Sequence, residues 1–239
     1  MPDNTAPPPD TKRPTGPVRR LLRFVRRWVL RLVLLFLVVL MAYRWINPPI
    51  TPYQAAEWLR GGSLSKSWLP LEQMAPEIVL SVMAAEDAKF CGHRGFDFDA
   101  IRATIRSGAN GGASTISQQV AKNLFLWQGR SWTRKGLEAV ITMAIELAWP
   151  KRRIIEIYLN VAEFDAQVFG VSAGAQVYFD RTAEDLTARQ AARLAMVLPN
   201  PKDRSAARLT TSQSRRVQSI MDGAATLRKS GAGDCFLRR

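Results

Sequence analysis

Hydrophobic positions between residues 74 and 200 recur every three or four residues, as they do along one face of a helix. Between residues 74 and 200, apolar and polar positions never alternate for more than a few residues, so the pattern indicates helices rather than strands. The predicted fold class is therefore mainly α. The predicted helices cover residues 53–60, 76–85, 99–107, 131–149 and 191–198, whereas 202–239 is predicted to be only partly helical.

The N-terminal region has a different pattern. Residues 1–18 contain six prolines and no apolar period, and residues 1–27 are interpreted as a disordered basic tail. Residues 28–46 are mostly apolar, and their uncharged core, Leu32 to Tyr43, is 12 residues long, which also fits a signal peptide or a buried helix. Arginines near both ends can snorkel, aromatic residues flank the run, and no small-residue cleavage site follows. We therefore predict one uncleaved transmembrane helix at 28–46.

The charge distribution predicts how this helix is oriented. The chain has 239 residues and a formal net charge of +14, divided equally between residues 1–46 and 47–239. Seven basic residues precede the apolar run and one immediately follows it, so the N-terminus is expected in the cytoplasm and 47–239 on the outer side. We expect no nucleic-acid partner. A basic outer domain beside a bilayer suits anionic headgroups or a diphosphate-linked substrate.

Two cysteines, Cys91 and Cys235, would face an oxidising compartment and could pair. Two unpaired thiols are the favoured expectation, because a domain of this size does not require a disulfide framework. His93 is the only histidine, and no Cys/His cluster has metal-ligand spacing. We therefore predict no metal site formed by the protein.

Glu86 is the first candidate catalytic residue. It follows Val79, Val82 and Met83 by seven, four and three positions, which places it on their buried stripe, while the neighbouring Asp87 points elsewhere. Burial disfavours a charged carboxylate, so the pKa of Glu86 should be raised and the group could accept a proton near neutral pH. A salt bridge at the end of the helix is the alternative interpretation.

A second polar group follows a glycine-containing loop at 110–112. After Ser114, the pair Thr115 and Gln118 has the spacing of a capping box that opens a helix. Two polar rows flank the apolar side of that helix, Gln118 with Lys122 and Gln119 with Asn123. Amides and a lysine near a helix start suit anion binding, and a capped surface helix is the alternative.

A second carboxylate, Glu138, shares a helix face with Ile141 and Ile145. Arg134 precedes it by four residues and Lys135 by three. The alternative to a catalytic role is an intrahelical ion pair worth a few tenths of a kcal/mol.

Together these segments resemble the motifs of the biosynthetic peptidoglycan glycosyltransferases, the domain that also occurs in class A penicillin-binding proteins. The matching residues are Glu86, Asp87, Phe90, His93 and Gly95, then Ser114, Thr115, Gln118, Gln119, Lys122 and Asn123, then Arg134, Lys135 and Glu138. Residues 151–160 and 187–201 resemble the fourth and fifth motifs. Asp165 and Gln167 stand where monofunctional members usually carry glycines, which is expected to change that loop.

The resemblance implies a lysozyme-like helical domain at 47–239 in a monofunctional enzyme of the bacterial inner membrane, facing the periplasm. The implied activity is polymerisation of lipid II into glycan strands through β-1,4 links, with release of undecaprenyl diphosphate. Glu86 would be the base and Glu138 the second catalytic carboxylate. The implied substrate-binding residues are Asp87, Ser114, Thr115, Gln118, Gln119, Lys122, Asn123, Arg134 and Lys135.

The resemblance also bears on cofactors and partners. No cofactor is expected to be required, although a divalent cation such as Mg²⁺ is an additional candidate at the diphosphate. The expected partners are lipid II, the growing strand, the membrane and, as a further candidate class, other wall-synthesis proteins. The alternatives are a lysozyme-like wall hydrolase or lytic enzyme, and an inactive membrane-anchored scaffold that binds precursors.

Overall fold

The computed structural model describes residues 17–108, 112–129 and 131–237. These residues are mainly helical, which confirms the predicted fold class. The chain divides into two compact units, residues 1–42 and 43–239.

Within its described residues the first unit consists of helix α1, Pro17–Ala42. The prediction of a disordered tail was wrong for residues 17–27, because the arginines there alternate with apolar residues such as Leu21 and Val25 and no helix breaker interrupts them. The rest of the predicted tail lies outside the described residues. Nowhere in the described part of the chain is there a helix with both the length and the apolar character required to cross a membrane.

The second unit contains ten helices within its described residues, together with three short strands and a 3₁₀ turn at Leu71–Gln73. In chain order the elements are α2 (Pro52–Gly61), β1 (Ser65–Lys66), α3 (Pro76–Glu86), α4 (Phe98–Ser107), α5 (Ile116–Phe125), α6 (Trp132–Ala148), α7 (Lys151–Val161), β2 (Glu163–Asp165), β3 (Val168–Phe169), α8 (Val171–Phe179), α9 (Ala188–Val197), α10 (Thr211–Ser230) and α11 (Asp234–Leu237). The five helices predicted from the hydrophobic period all occur, with ends shifted by a few residues.

Local sequence explains where several helices begin. The predicted capping boxes at Thr115 and Thr187 are both present, with each hydroxyl accepting from the backbone N–H three residues later. A third box, formed by Thr210 and Gln213, opens the 20-residue α10. The described residues of 202–239 are partly helical, as expected, with α10 and α11 as their helices. The buried positions of α10 include Val217, three residues before Ile220.

A small sheet has the order β1–β3–β2, with β1 parallel and β2 antiparallel to the central strand. The two positions that depart from the family pattern are the last residue of β2, Asp165, and a residue of the β2–β3 turn, Gln167. Gln167 has φ 62°, the left-handed conformation that glycine adopts more easily, so the turn keeps this backbone without the glycine. Asp165 instead accepts a hydrogen bond from the Tyr178 hydroxyl at 2.7 Å.

Two helix clusters form the core of the second unit and support the site. Helix α3 packs against α9 and α10, and α5 packs against α6 and α7.

Cys91 and Cys235 form a disulfide, with their Cα atoms 5.6 Å apart, so the favoured expectation of free thiols was wrong. The pairing follows from tertiary packing, because α11 lies against α7 and Phe236 is buried beside Cys235.

Candidate active site

Glu86 is the last residue of α3 and lines a cleft between α3, α5 and α6. The side-chain N–H of Gln119 on α5 donates to its Oε2 at 2.7 Å. Burial raises the pKa of Glu86, and the hydrogen bond from Gln119 and the charges of Arg216 and Arg204 oppose that rise. The predicted raised pKa is therefore matched by the environment of this carboxylate.

Behind Gln119 lies a tyrosine that the sequence analysis did not select. The Tyr158 hydroxyl, on α7, donates to Gln119 Oε1 at 3.1 Å. Tyr158 is 1% exposed, and burial raises its pKa well above the ordinary value for tyrosine. Its place on the buried face of α7, within the segment that resembles the fourth motif, was the only sequence signal that could have identified it.

Asp87 and Thr115 were predicted to bind substrate, but both are buried and their hydrogen bonds are made within the fold. Asp87 Oδ2 accepts the N–H of Ile116 at 3.0 Å, and both carboxylate oxygens lie within 3.0 Å of His93 Nε2. The Thr115 hydroxyl donates to the carbonyl of Gly95 at 2.6 Å. The first N–H groups of a helix have no partner within it, and Asp87 satisfies one of them. These contacts connect the end of α3 to the start of α5.

A carboxylate and two cations form the opposite side of the cleft. Glu138 is 3% exposed, and one oxygen accepts from Arg134 Nη1 at 2.7 Å while the other accepts from Lys135 Nζ. Arg134 is further fixed by a 2.8 Å bond from its Nε to the carbonyl of Gly129. Lys135 also reaches the hydroxyl of Ser114 at 3.3 Å. Glu138 therefore holds both cations in place.

Lys122 lies between the two carboxylates. Within the described residues its side-chain ammonium makes no hydrogen bond or ion pair, and burial lowers its pKa. The charge of Glu138 opposes this effect, whereas the neighbouring charges of Arg134 and Lys135 add to it. A partly desolvated ammonium group beside two further cations is an arrangement that an anionic ligand would stabilise.

The cleft has a volume of about 610 Å³. Of the predicted site residues, the following line it: Glu86, Ser114, Gln118, Gln119, Lys122, Arg134, Lys135 and Glu138. Gln118 lines the cleft although its side chain also completes the cap of α5. Most of the predicted residues therefore come together, although they lie on three helices and on the segment before α5.

A second cavity of about 290 Å³ shares Gln119 and Lys122 with the cleft. Asn123 lines this cavity rather than the cleft that contains Glu86. Its other charged residues were missed by the sequence analysis and include Glu57, whose carboxylate lies 2.9 Å from Lys202 Nζ. These residues come from α2 and the segment after α9, and no local pattern connects them.

The donor set of the cleft does not suit a metal held by the protein. Both oxygens of Glu138 already contact cations, and no group of three His, Cys, Asp or Glu side chains that could hold a metal ion occurs within the described residues. Four cationic side chains line the cleft instead, Lys122, Arg134, Lys135 and Arg216, and they suit a polyanionic ligand. Glu86 could then exchange a proton with a group of that ligand.

Comparison with known proteins agrees with this arrangement. The transglycosylase family model matches residues 54–225. The biosynthetic peptidoglycan transglycosylase of Jannaschia sp. (strain CCS1) is 52% identical over 230 residues, which cover 95% of this chain and 96% of the relative. The Caulobacter vibrioides and Rhodospirillum centenum proteins of the same name are each 42% identical, covering 89% and 92% of this chain and 98% and 97% of the relatives. The resemblance found in the motifs is confirmed, and the chain belongs to the transglycosylase family.

Proposed function

We propose that this chain polymerises lipid II into glycan strands of peptidoglycan. As a member of its family the chain is a peptidoglycan glycosyltransferase. The observation that carries the proposal is one cleft that contains a carboxylate of raised pKa, Glu86, together with the cations Lys122, Arg134 and Lys135. A base and an anion-binding group in one cleft are what transfer of a sugar from a diphosphate requires.

The proposed reaction forms one bond and breaks one. The 4-hydroxyl oxygen of the acceptor GlcNAc attacks the anomeric carbon of the donor MurNAc, and Glu86 takes the hydroxyl proton. The bond between that carbon and the diphosphate oxygen breaks, and its electron pair leaves with undecaprenyl diphosphate. Attack opposite to an α-linked leaving group inverts the centre and gives a β-1,4 link.

The cations would stabilise the leaving group. Lys122, Arg134 and Lys135 would meet the negative charge that grows on the diphosphate, through charge-assisted hydrogen bonds. Glu138 would orient Arg134 and Lys135, because each of its oxygens contacts one of them. In this scheme no cofactor is required, and a divalent cation would have to be held by the diphosphate itself, since the donor set does not suit one.

The proposed location is the bacterial inner membrane, with residues 28–46 as a single-pass anchor, the N-terminus in the cytoplasm and the catalytic unit in the periplasm. Support comes from the basic residues before the apolar run and from apolar side chains of α1 that are more than half exposed, such as Leu30 and Leu34. A reporter fused after Arg239 should be active only on the outer side. Cytoplasmic activity of that fusion would contradict the location.

A membrane partner is also supported within the second unit. One face of α6 consists of exposed apolar side chains, opposite the face that holds Arg134 and Glu138. The exposed residues are Trp132, Leu137, Val140, Met143 and Leu147. We propose that this apolar face of α6 contacts the bilayer, where a lipid-linked substrate is met.

One assay separates the proposed function from its alternatives. Purified protein is incubated with labelled lipid II and, separately, with preformed wall material. The proposal requires polymer from lipid II. Soluble fragments from the wall would favour a hydrolase or lytic enzyme, and binding without reaction would favour a precursor-binding scaffold.

A further inference from the structure

We propose that the Tyr158 hydroxyl is a positioning group for the general base, because it fixes the side-chain amide of Gln119 so that an N–H, and not the carbonyl, faces Glu86. This inference rests on the proposed function only in giving Glu86 the role of base. It concerns three side chains on three helices, Glu86 on α3, Gln119 on α5 and Tyr158 on α7, joined by bonds of 2.7 and 3.1 Å.

The two ends of the Gln119 amide are not interchangeable at this position. In the observed orientation Oε1 accepts the Tyr158 proton and Nε2 donates to Glu86. A reversed amide would point its carbonyl at the carboxylate and offer N–H to the tyrosine oxygen. The Tyr158 proton would then have no acceptor, since Gln119 is the only hydrogen-bond partner of that hydroxyl within the described residues.

Burial makes the reversed amide unfavourable. Tyr158 is 1% exposed, and a buried donor left without an acceptor costs about 1–3 kcal/mol. The reversed amide would in addition place two oxygens against each other unless Glu86 were protonated. The tyrosine therefore selects the amide orientation that stabilises the ionised carboxylate, the form that can accept a proton.

Other charged groups near Glu86 do not depend on Tyr158. Lys122 faces Glu86 from α5, Arg204 from the segment after α9 and Arg216 from α10, while Asp87 is next to it in the chain. Arg216 is held by the carbonyl of Ala85 at 3.1 Å. Removal of the Tyr158 hydroxyl leaves these charges in place, so its effect on the base should pass through Gln119 alone.

The first test is Tyr158→Phe in the full chain, with lipid II polymerisation measured as a function of pH. We expect the acid limb of kcat/KM to move to higher pH, with a loss of about tenfold on that limb and recovery at alkaline pH, which is the size of a lost hydrogen bond to a charged group. Tyr178→Phe is the matched control, because it removes a tyrosine–carboxylate bond outside the cleft. An unmoved limb in Tyr158→Phe, or an equal loss at every pH, overturns the proposal.

The second test asks whether the tyrosine acts through the amide. Gln119→Met keeps the length of the side chain and removes both hydrogen bonds, so it should move the limb by itself. In that background Tyr158→Phe should produce no further shift. Additive shifts would show that Tyr158 acts by another route and would overturn the proposal.

A third measurement does not depend on the reaction. The Glu86 carboxyl is titrated by ¹³C NMR without substrate, with Glu86→Gln used to assign the signal. Its titration should move to higher pH in Tyr158→Phe and not in Tyr178→Phe. If the wild-type protein formed no polymer while this shift occurred, the proposed function would be refuted and the positioning role of Tyr158 would stand. If polymer formed without the shift, the positioning role would be refuted and the proposed function would stand.

Discussion

Replacing Glu86 with Gln should separate activity from stability, because the two depend on this side chain with opposite signs. The amide keeps an oxygen that can accept from Gln119 Nε2, so the hydrogen bond seen at 2.7 Å can persist. It cannot accept the proton of the acceptor hydroxyl. Polymerisation should therefore fall by about 10²–10⁴-fold, the usual contribution of a general base, which corresponds to about 3–5 kcal/mol in the activation free energy.

Stability should change the other way. Burial raises the pKa of Glu86 in the folded state above its value in the unfolded state. The contribution of this group to folding stability is therefore full at pH values below the unfolded-state pKa, and it is lost as the pH rises through the folded-state pKa. At neutral pH the fold therefore carries a desolvated charge that Glu86→Gln removes. The melting temperature of the variant at pH 7 should equal or exceed that of the wild type, and their difference should shrink in acid.

The assay for this prediction pairs initial rates on labelled lipid II with thermal melts at several pH values. Glu77→Gln is the control, because Glu77 lies on the same helix and forms an exposed ion pair with Arg228 outside the cleft; its rate should match the wild type. A Glu86→Gln protein that polymerises within tenfold of the wild-type rate would refute the assignment of the base. A clear drop in its melting temperature at pH 7 would refute the argument from burial.

Three further predictions concern other parts of the second unit. Lys122→Arg should move the alkaline limb of kcat/KM to higher pH, because burial lowers the pKa of the lysine whereas arginine stays charged; a limb that does not move would assign it to another group. Cys91→Ala should lower the free energy of unfolding, measured in urea, by about 2–5 kcal/mol, since the disulfide to Cys235 spans 144 residues. Adding a reductant to the wild-type protein should lower its free energy of unfolding by the same amount, and an unequal loss would contradict this account. Gln167→Gly should be more stable than Gln167→Ala by about 1 kcal/mol in the same assay, because only glycine adopts φ 62° without strain, and a more stable alanine variant would contradict that account.

Local sequence was enough for the helices and for most of the cleft. A hydrophobic period and a cap are properties of neighbouring residues, which is why α3 and the Thr115 box could be predicted. The same is true of the Glu138 cluster, whose two cations precede it by three and four residues on one helix. The catalytic and binding roles given to these residues remain predictions.

The contacts that the sequence analysis did not identify have a common physical origin. Asp87 and Thr115 look like ligand-binding residues in a motif, yet their partners, the Ile116 N–H and the Gly95 carbonyl, are backbone groups that only the packed structure brings near. The partner of Cys91 is just as distant in sequence. Contacts between helices carry no periodic signature in either segment, so one sequence could not reveal them.

Helix α6 has a cationic side and an apolar side. Its diameter is large enough for the apolar side to lie among acyl chains while the cationic side lies at the lipid phosphates. A helix with its side chains is about 10–12 Å across, whereas the headgroup region of one leaflet is about 5–8 Å thick, so the helix can span it. With Trp132 and Leu147 resting among acyl chains, Arg134 on the other side would be held at the height of lipid phosphates. The depth at which the apolar side of α6 enters the bilayer would then set the height of the cations above the hydrocarbon core. A thicker bilayer would leave the cations at the height of the diphosphate. Withdrawal of the apolar side of α6 from the hydrocarbon would instead raise the cations above the diphosphate.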